Sequence, residues 1–186
     1  MQEITREFGL FGKLLLTKAR LKKLFLFALL QKLEIVFVCV GTSKVLGDSF
    51  APLVGDKLLK MSLPIWVFGG TTNNVDARNL NSTLKVVKLL HPKSIVIVVD
   101  TLSTFQKSSI GDVVLSNNYV GLNPKVFVKA DLFLFGTTTF VGHQNLYAKT
   151  EIVNNLSSSV AFAIKESFLS SVRKSNLNFL SRFVNF

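Results

Sequence analysis

From Glu34 onward the chain is punctuated by apolar, β-branched or aromatic runs at 35–40, 64–68, 94–99, 113–115, 125–128 and 132–136. The first and third, IVFVCV and SIVIVV, show no polar alternation. A strand with one wet face alternates, whereas a strand covered on both faces reads as a continuous apolar run. Helical patterns at 50–61 and 76–90 separate the first three runs, and a third, at 146–173, closes the series. Strand, helix, strand, helix, strand is the rhythm of βαβ units around a parallel sheet. The later runs lie closer together, with turn signals at Asn117-Asn118 and Asn123-Pro124, and predict a local antiparallel excursion before the sheet resumes at 132–136. The expected fold class is α/β: a single three-layer domain with a twisted, mostly parallel sheet between helices.

A chain of 186 residues has room for one domain with a substantial core. The net charge of +11 is uneven: residues 1–33 carry +5, residues 34–163 only +3, and residues 164–186 another +3. A nearly balanced middle between basic ends argues against nucleic-acid binding through the core. Cys39, the single cysteine, lies inside an apolar run and reads as a buried thiol. With no second cysteine there is no intrachain disulfide, which fits a reducing, cytoplasmic setting. Mean hydropathy is +0.42, yet no run approaches the ~18 uninterrupted apolar residues of a spanning helix. KARLKK followed by LFLFALL imitates the start of a signal peptide, but no small-residue cleavage site follows.

Residues 8–33 place Leu10, Leu14, Leu15, Leu21, Leu24, Phe25 and Leu29 among Lys13, Lys18, Arg20, Lys22 and Lys23. The pattern is that of a basic amphipathic helix, packed on its own domain or a partner, with peripheral membrane contact as the other reading. The expected division is a basic N-terminal arm at 1–33, an α/β domain at 34–174 and a C-terminal tail at 175–186.

Two acids follow apolar runs. Asp48 comes after the 35–40 run by a short Gly41–Gly47 loop, and Asp100 ends the 94–99 run. Ligands of open parallel sheets bind at the carboxyl ends of strands. Paired carboxylates there activate water or ligate a metal. The structural reading makes Asp48 an N-cap for the helix at 50–61 and Asp100 a turn former.

The stretch GTSKVLGDSFAPLVGDKL resembles the sporulation protein YyaC family, and the likeness continues through FGGTTNNVDARNL, HPKSIVIVVDTL and LFLFGTTTFV. It covers roughly residues 34–165. The layout is also similar to the spore germination protease and, more distantly, to the hydrogenase maturation proteases, which implies a fold of the hydrogenase maturation protease and phosphorylase/hydrolase-like kind. The resemblance implies an aspartate-dependent peptidase acting on spore or sporulation proteins, with Asp48 and Asp100 as the catalytic pair. Gly41, Thr42, Gly47, Gly70 and Thr71 would line the substrate side. A catalytically inactive relative acting as a protein-binding module in sporulating cells is the alternative. Hydrogenase maturation proteases add a histidine ligand in the segment corresponding to 116–130, where this chain has SNNYVGLNPKVFVKA. No metal or cofactor is therefore expected. The expected partner is a protein or peptide substrate, with homo-oligomerisation left open.

The Gly69-Gly70-Thr71-Thr72 turn either approaches a substrate or simply needs its glycines. Asp76, Arg78 and Asn79 read as a solvated helix start, with Arg78 a candidate carboxylate binder. His143 reads as an exposed loop residue or a base at the crevice. His91 reads as a cation at a helix end.

Overall fold

The computed structural model describes the backbone at residues 9–118, 130–142 and 146–183, and the side chains at 15–118, 130–142 and 146–176. His143, the Asn123-Pro124 turn and the 125–128 run lie outside the described residues. The elements are α1 (Gly9–Leu30), β1 (Glu34–Cys39), a 3-10 turn (Gly47–Ser49) running into α2 (Phe50–Leu59), β2 (Trp66–Phe68), α3 (Leu80–Leu90), β3 (Ser94–Thr104), β4 (Val113–Ser116), β5 (Leu132–Val141), β6 (Leu146–Ala148) and α4 (Thr150–Phe183). The sheet order is β2-β1-β3-β5-β4, with β6 also on β5. The pairs β1–β2, β1–β3 and β3–β5 are parallel, and β4 and β6 are antiparallel to β5. The expected α/β architecture is thus present, including the antiparallel excursion at β4.

Strand pleating sends alternate residues to two cores. Ile35, Phe37 and Cys39 with Ile95, Ile97 and Val99 meet α1, α2 and α4 through Phe25, Phe50, Val54 and Ile164. Val36, Val38 and Val40 with Val98, Phe133 and Phe135 meet α3 through Leu80 and Val87. Burial on both faces is the cause of the unbroken apolar runs.

The arm division is corrected by the packing. Leu21, Phe25 and Ala28 of α1 are fully buried in the same core as β1 and β3. The Phe25 ring meets Phe37 at 6.3 Å and Phe168 at 6.0 Å, both edge-on. Buried serines let α1 and α4 approach closely, with Ser167 Oγ and Ser171 Oγ donating to the carbonyls of Lys18 and Lys22. The basic residues cause no conflict because they lie across the rim. Lys18 Nζ sits 5.4 Å from the Phe162 ring centre, and Arg20 donates to Leu115 O and Asn117 Oδ1. The expected tail boundary at 174/175 also falls inside α4, which runs to Phe183. Among the described residues no helix is long and apolar enough to cross a membrane.

Two further expectations change. The strand expected to end at Asp100 continues to Thr104, because β5 supplies a parallel partner beyond the end of β1. Residues 146–148 form β6 on the free edge of β5 instead of opening the last helix.

Removing Phe25 tests the role of α1. Phe25→Ala should destabilise the protein by about 3–5 kcal/mol, the range for emptying a buried aromatic site. Deletion of residues 1–33 should abolish soluble, cooperative melting. Thermal and denaturant melts check both; wild-type-like curves would return α1 to the status of an arm.

Candidate active site

The site forms where β1 stops and β3 does not. Val40 N–H donates to Val99 O at 2.8 Å, and on the other side Gly41 N–H donates to Val75 O at 2.7 Å. Beyond that point strand-end amides need other acceptors. Thr101 N–H donates to Asp100 Oδ1 at 2.7 Å, and Thr42 N–H donates to Asp48 Oδ2 at 2.8 Å. The two carboxylates therefore each take an amide at the carboxyl end of the β1–β3 pair. Asp100 is 7% exposed, and Asp48 is half-buried.

The structural roles expected for the two acids are corrected here. Asp48 does not cap α2, whose first turn has no side-chain cap; its carboxylate turns back to the loop. Asp100 does not form a turn; it lies within β3, opposite Phe135 of β5.

Gly41 adopts φ +149°, and a Cβ there would lie 2.1 Å from Asp48 O and 3.1 Å from Pro52 Cδ. Only glycine lets the 41–48 loop close this tightly over the strand end. The loop thus brings Gly41, Thr42, Gly47 and Asp48 together. Gly70 and Thr71 come beside it, since Ser43 Oγ donates to Thr71 O at 3.3 Å. Thr71 is held by Asp56 through its N–H (3.1 Å) and Oγ1 (2.5 Å). Asp56 and the hydroxyls of Thr101 and Thr138 are site-forming groups that the sequence reading passed over. The visible signal for the last was a polar Thr137-Thr138-Thr139 run inside an apolar strand.

Burial is the largest influence on Asp48 and raises its carboxyl above the ordinary 3.8. The Thr42 N–H opposes this, and the charge of Asp76 adds to the rise. Asp76 reaches this rim because Val75 bridges Val40. Arg78, through hydrogen bonds from its side chain and backbone, holds Asp76 itself down at about 2. Since the folded state binds the Asp48 proton more tightly than the unfolded chain, stability falls as pH rises from the unfolded value to the raised folded one. Above that interval the cost is fully present.

At the other end of β1, His91 is buried beside Glu34, with Nδ1 3.0 Å from Oε2. A carboxylate only accepts, so Nδ1 carries the proton. His91 stands at the C-terminus of α3, the helix end at which it was expected, and Glu34 is its carboxylate partner there. A hollow of about 550 Å³, lined by residues including Trp66, Pro64 and Leu29, opens at this end, away from both acids. Among the described residues no three His, Cys, Asp or Glu side chains converge to hold a metal ion.

Comparison with known proteins agrees with the fold. The chain is 30% identical over 157 residues to the uncharacterized protein YyaC of Bacillus subtilis strain 168, covering 80% of this chain and 76% of that one. Its fold is similar to that of the NiFe hydrogenase maturation protease HycI of Thermococcus kodakarensis KOD1, with a TM-score of 0.51 at 14% identity, over 73% of this chain and 92% of the other. Residues 15–168, a span that opens within α1 and closes within α4, match the family described as protein of unknown function (DUF1256), and the chain belongs to that family.

Proposed function

We propose that this YyaC-like protein is an aspartate-dependent peptidase acting on proteins of the spore or the sporulating cell, inside the cytoplasm. The observation that carries the reading is the pair of acids by the carboxyl end of the β1–β3 pairing, Asp48 from the loop after β1 and Asp100 from within β3, each accepting a backbone amide. Asp48, the more exposed acid, is the general base: its raised carboxyl value brings it closer to neutral pH than an open aspartate. It takes a proton from the water that attacks the peptide carbonyl and returns it to the amine nitrogen as the C–N bond breaks. Asp100 is the second carboxylate of the pair. Gly41, Thr42, Gly47, Gly70 and Thr71 form the rim across which a peptide would lie.

A second reading rests on the deep burial of Asp100. An acid this enclosed serves equally to hold the Thr101 amide, and the protein is then a binding module that keeps both acids as architecture.

Incubation of the purified protein with spore extracts, followed by mapping of new termini, separates the two. Cleavage by the wild type and none by Asp48→Asn supports the peptidase. No cleavage by the wild type assigns the binding module.

Stability gives a parallel expectation. Asparagine keeps an acceptor for the Thr42 amide and removes the disfavoured charge. Asp48→Asn should therefore melt at the same temperature as the wild type or higher near neutral pH. The difference should shrink as pH falls toward the ordinary aspartate value of 3.8. A melting series across this range checks it; strong destabilisation at neutral pH would make Asp48 a structural acid.

A further inference from the structure

The carbonyl of Gly47, immediately before Asp48, is held by hydroxyls from two strands. Thr138 Oγ1 donates to Gly47 O at 2.9 Å. Thr101 Oγ1 lies 2.6 Å from Thr138 Oγ1 and 3.2 Å from both Gly47 O and Gly136 O. Each hydroxyl has one proton to give. With the Thr138 proton on Gly47, the short contact between the hydroxyls makes Thr101 its donor. The result is a relay from Thr101 to Thr138 to the Gly47 carbonyl. Thr138 is 0% exposed, so no water replaces a lost member.

The relay exists because of a register shift. Leu102 pairs with Thr137 and Ser103 with Thr139, which leaves Thr138 as the extra residue of β5. Thr139 closes the same place from beside it: a Cβ on Gly47 would lie 2.0 Å from Thr139 Oγ1.

Gly47 O and Asp48 N belong to one planar peptide unit. Fixing the oxygen fixes the plane from which the Asp48 Cα departs, while Thr42 N–H fixes the other end of its side chain. We infer that the Thr101–Thr138 hydroxyl pair positions Asp48, with Thr138 the direct holder and Thr101 its orienting partner. The catalytic importance of this device rests on the peptidase reading. The device itself does not, so its test needs no activity.

The test is a carbon-detected NMR titration of the Asp48 carboxyl, with the Thr42 amide followed alongside. Thr138→Val keeps the shape and removes the hydroxyl. Asp48 should then be released toward water, titrate at lower pH than in the wild type, and no longer move the Thr42 amide as it titrates. Thr138→Ser should restore both signals. Thr101→Val should give a smaller shift in the same direction, because Thr138 retains its own proton for Gly47. A general loss of packing would lower the melting temperature without moving the Asp48 titration, and serine would not rescue it selectively. An unaltered Asp48 titration in folded Thr138→Val, or a larger effect from Thr101→Val, would overturn the inference. Thr138→Ala, which leaves no methyl facing the carbonyl, reads the same outcomes if the valine variant does not fold.

Discussion

The parallel pairing of β1 with β3 is the constraint on which the rest depends. Six residue pairs, from Glu34 with Ser94 to Cys39 with Val99, run in register between two apolar layers. Neither strand can slip, because a one-residue shift would send each core residue to the wrong layer. Their lengths differ, however. β1 ends where Val75 takes the Gly41 amide, whereas β3 gains five more residues along β5. The unequal ends form the notch into which the 41–48 loop folds.

Such a notch creates a hydrogen-bonding problem before it creates a site. Strand ends leave amides and carbonyls without ladder partners, and the burial here denies them free access to water. The chain meets this with side chains close in sequence or space. Asp48 takes Thr42 N–H, Asp100 takes Thr101 N–H, Asp56 takes Thr71 N–H, and Thr138 supplies Gly47 O. Three of these four are carboxylates, so acidity gathers at this rim for reasons of backbone accounting alone. Asp48 is more open than the buried Asp100, and its charge is disfavoured where it stands.

The parallel core was legible in the sequence because burial on both faces writes itself as unbroken apolar runs, as at Ile35–Val40. The position of Asp100 was less so. Its strand was expected to stop there, but strand length is set by the partner, and no local pattern announces that β5 extends the pairing to Thr104. The α1 helix showed its apolar face at Leu21 and Phe25, yet the interleaved lysines drew it toward an arm; charges on long stems cover a core edge without entering it. The Thr138 contact was out of reach, since it depends on a register shift between two distant strands. The influences on Asp48 were also out of reach: burial leads, and the charge of Asp76 adds to it. That follows from the Val40–Val75 bridge, which sequence spacing does not encode.

The two ends of β1 carry carboxylates of opposite character, and the contrast bears on function. Glu34 opens the strand and accepts hydrogen bonds from His91 and Trp66, which lower its carboxyl value. Such an acid favours the folded state in its charged form: its contribution is present above the unfolded value and fades as pH falls through the folded one. Asp48 follows the end of the strand, and its carboxyl is raised, so its charged form opposes folding at neutral pH. A residue that serves stability would be tuned as Glu34 is. The half-buried acid is instead held by an amide, a glycine-tight loop and a hydroxyl relay, in a setting that makes it a better base and a worse stabiliser. That trade, stability given up where a titratable group is oriented in the loop beyond a strand, is what the proposed peptidase role would require of Asp48.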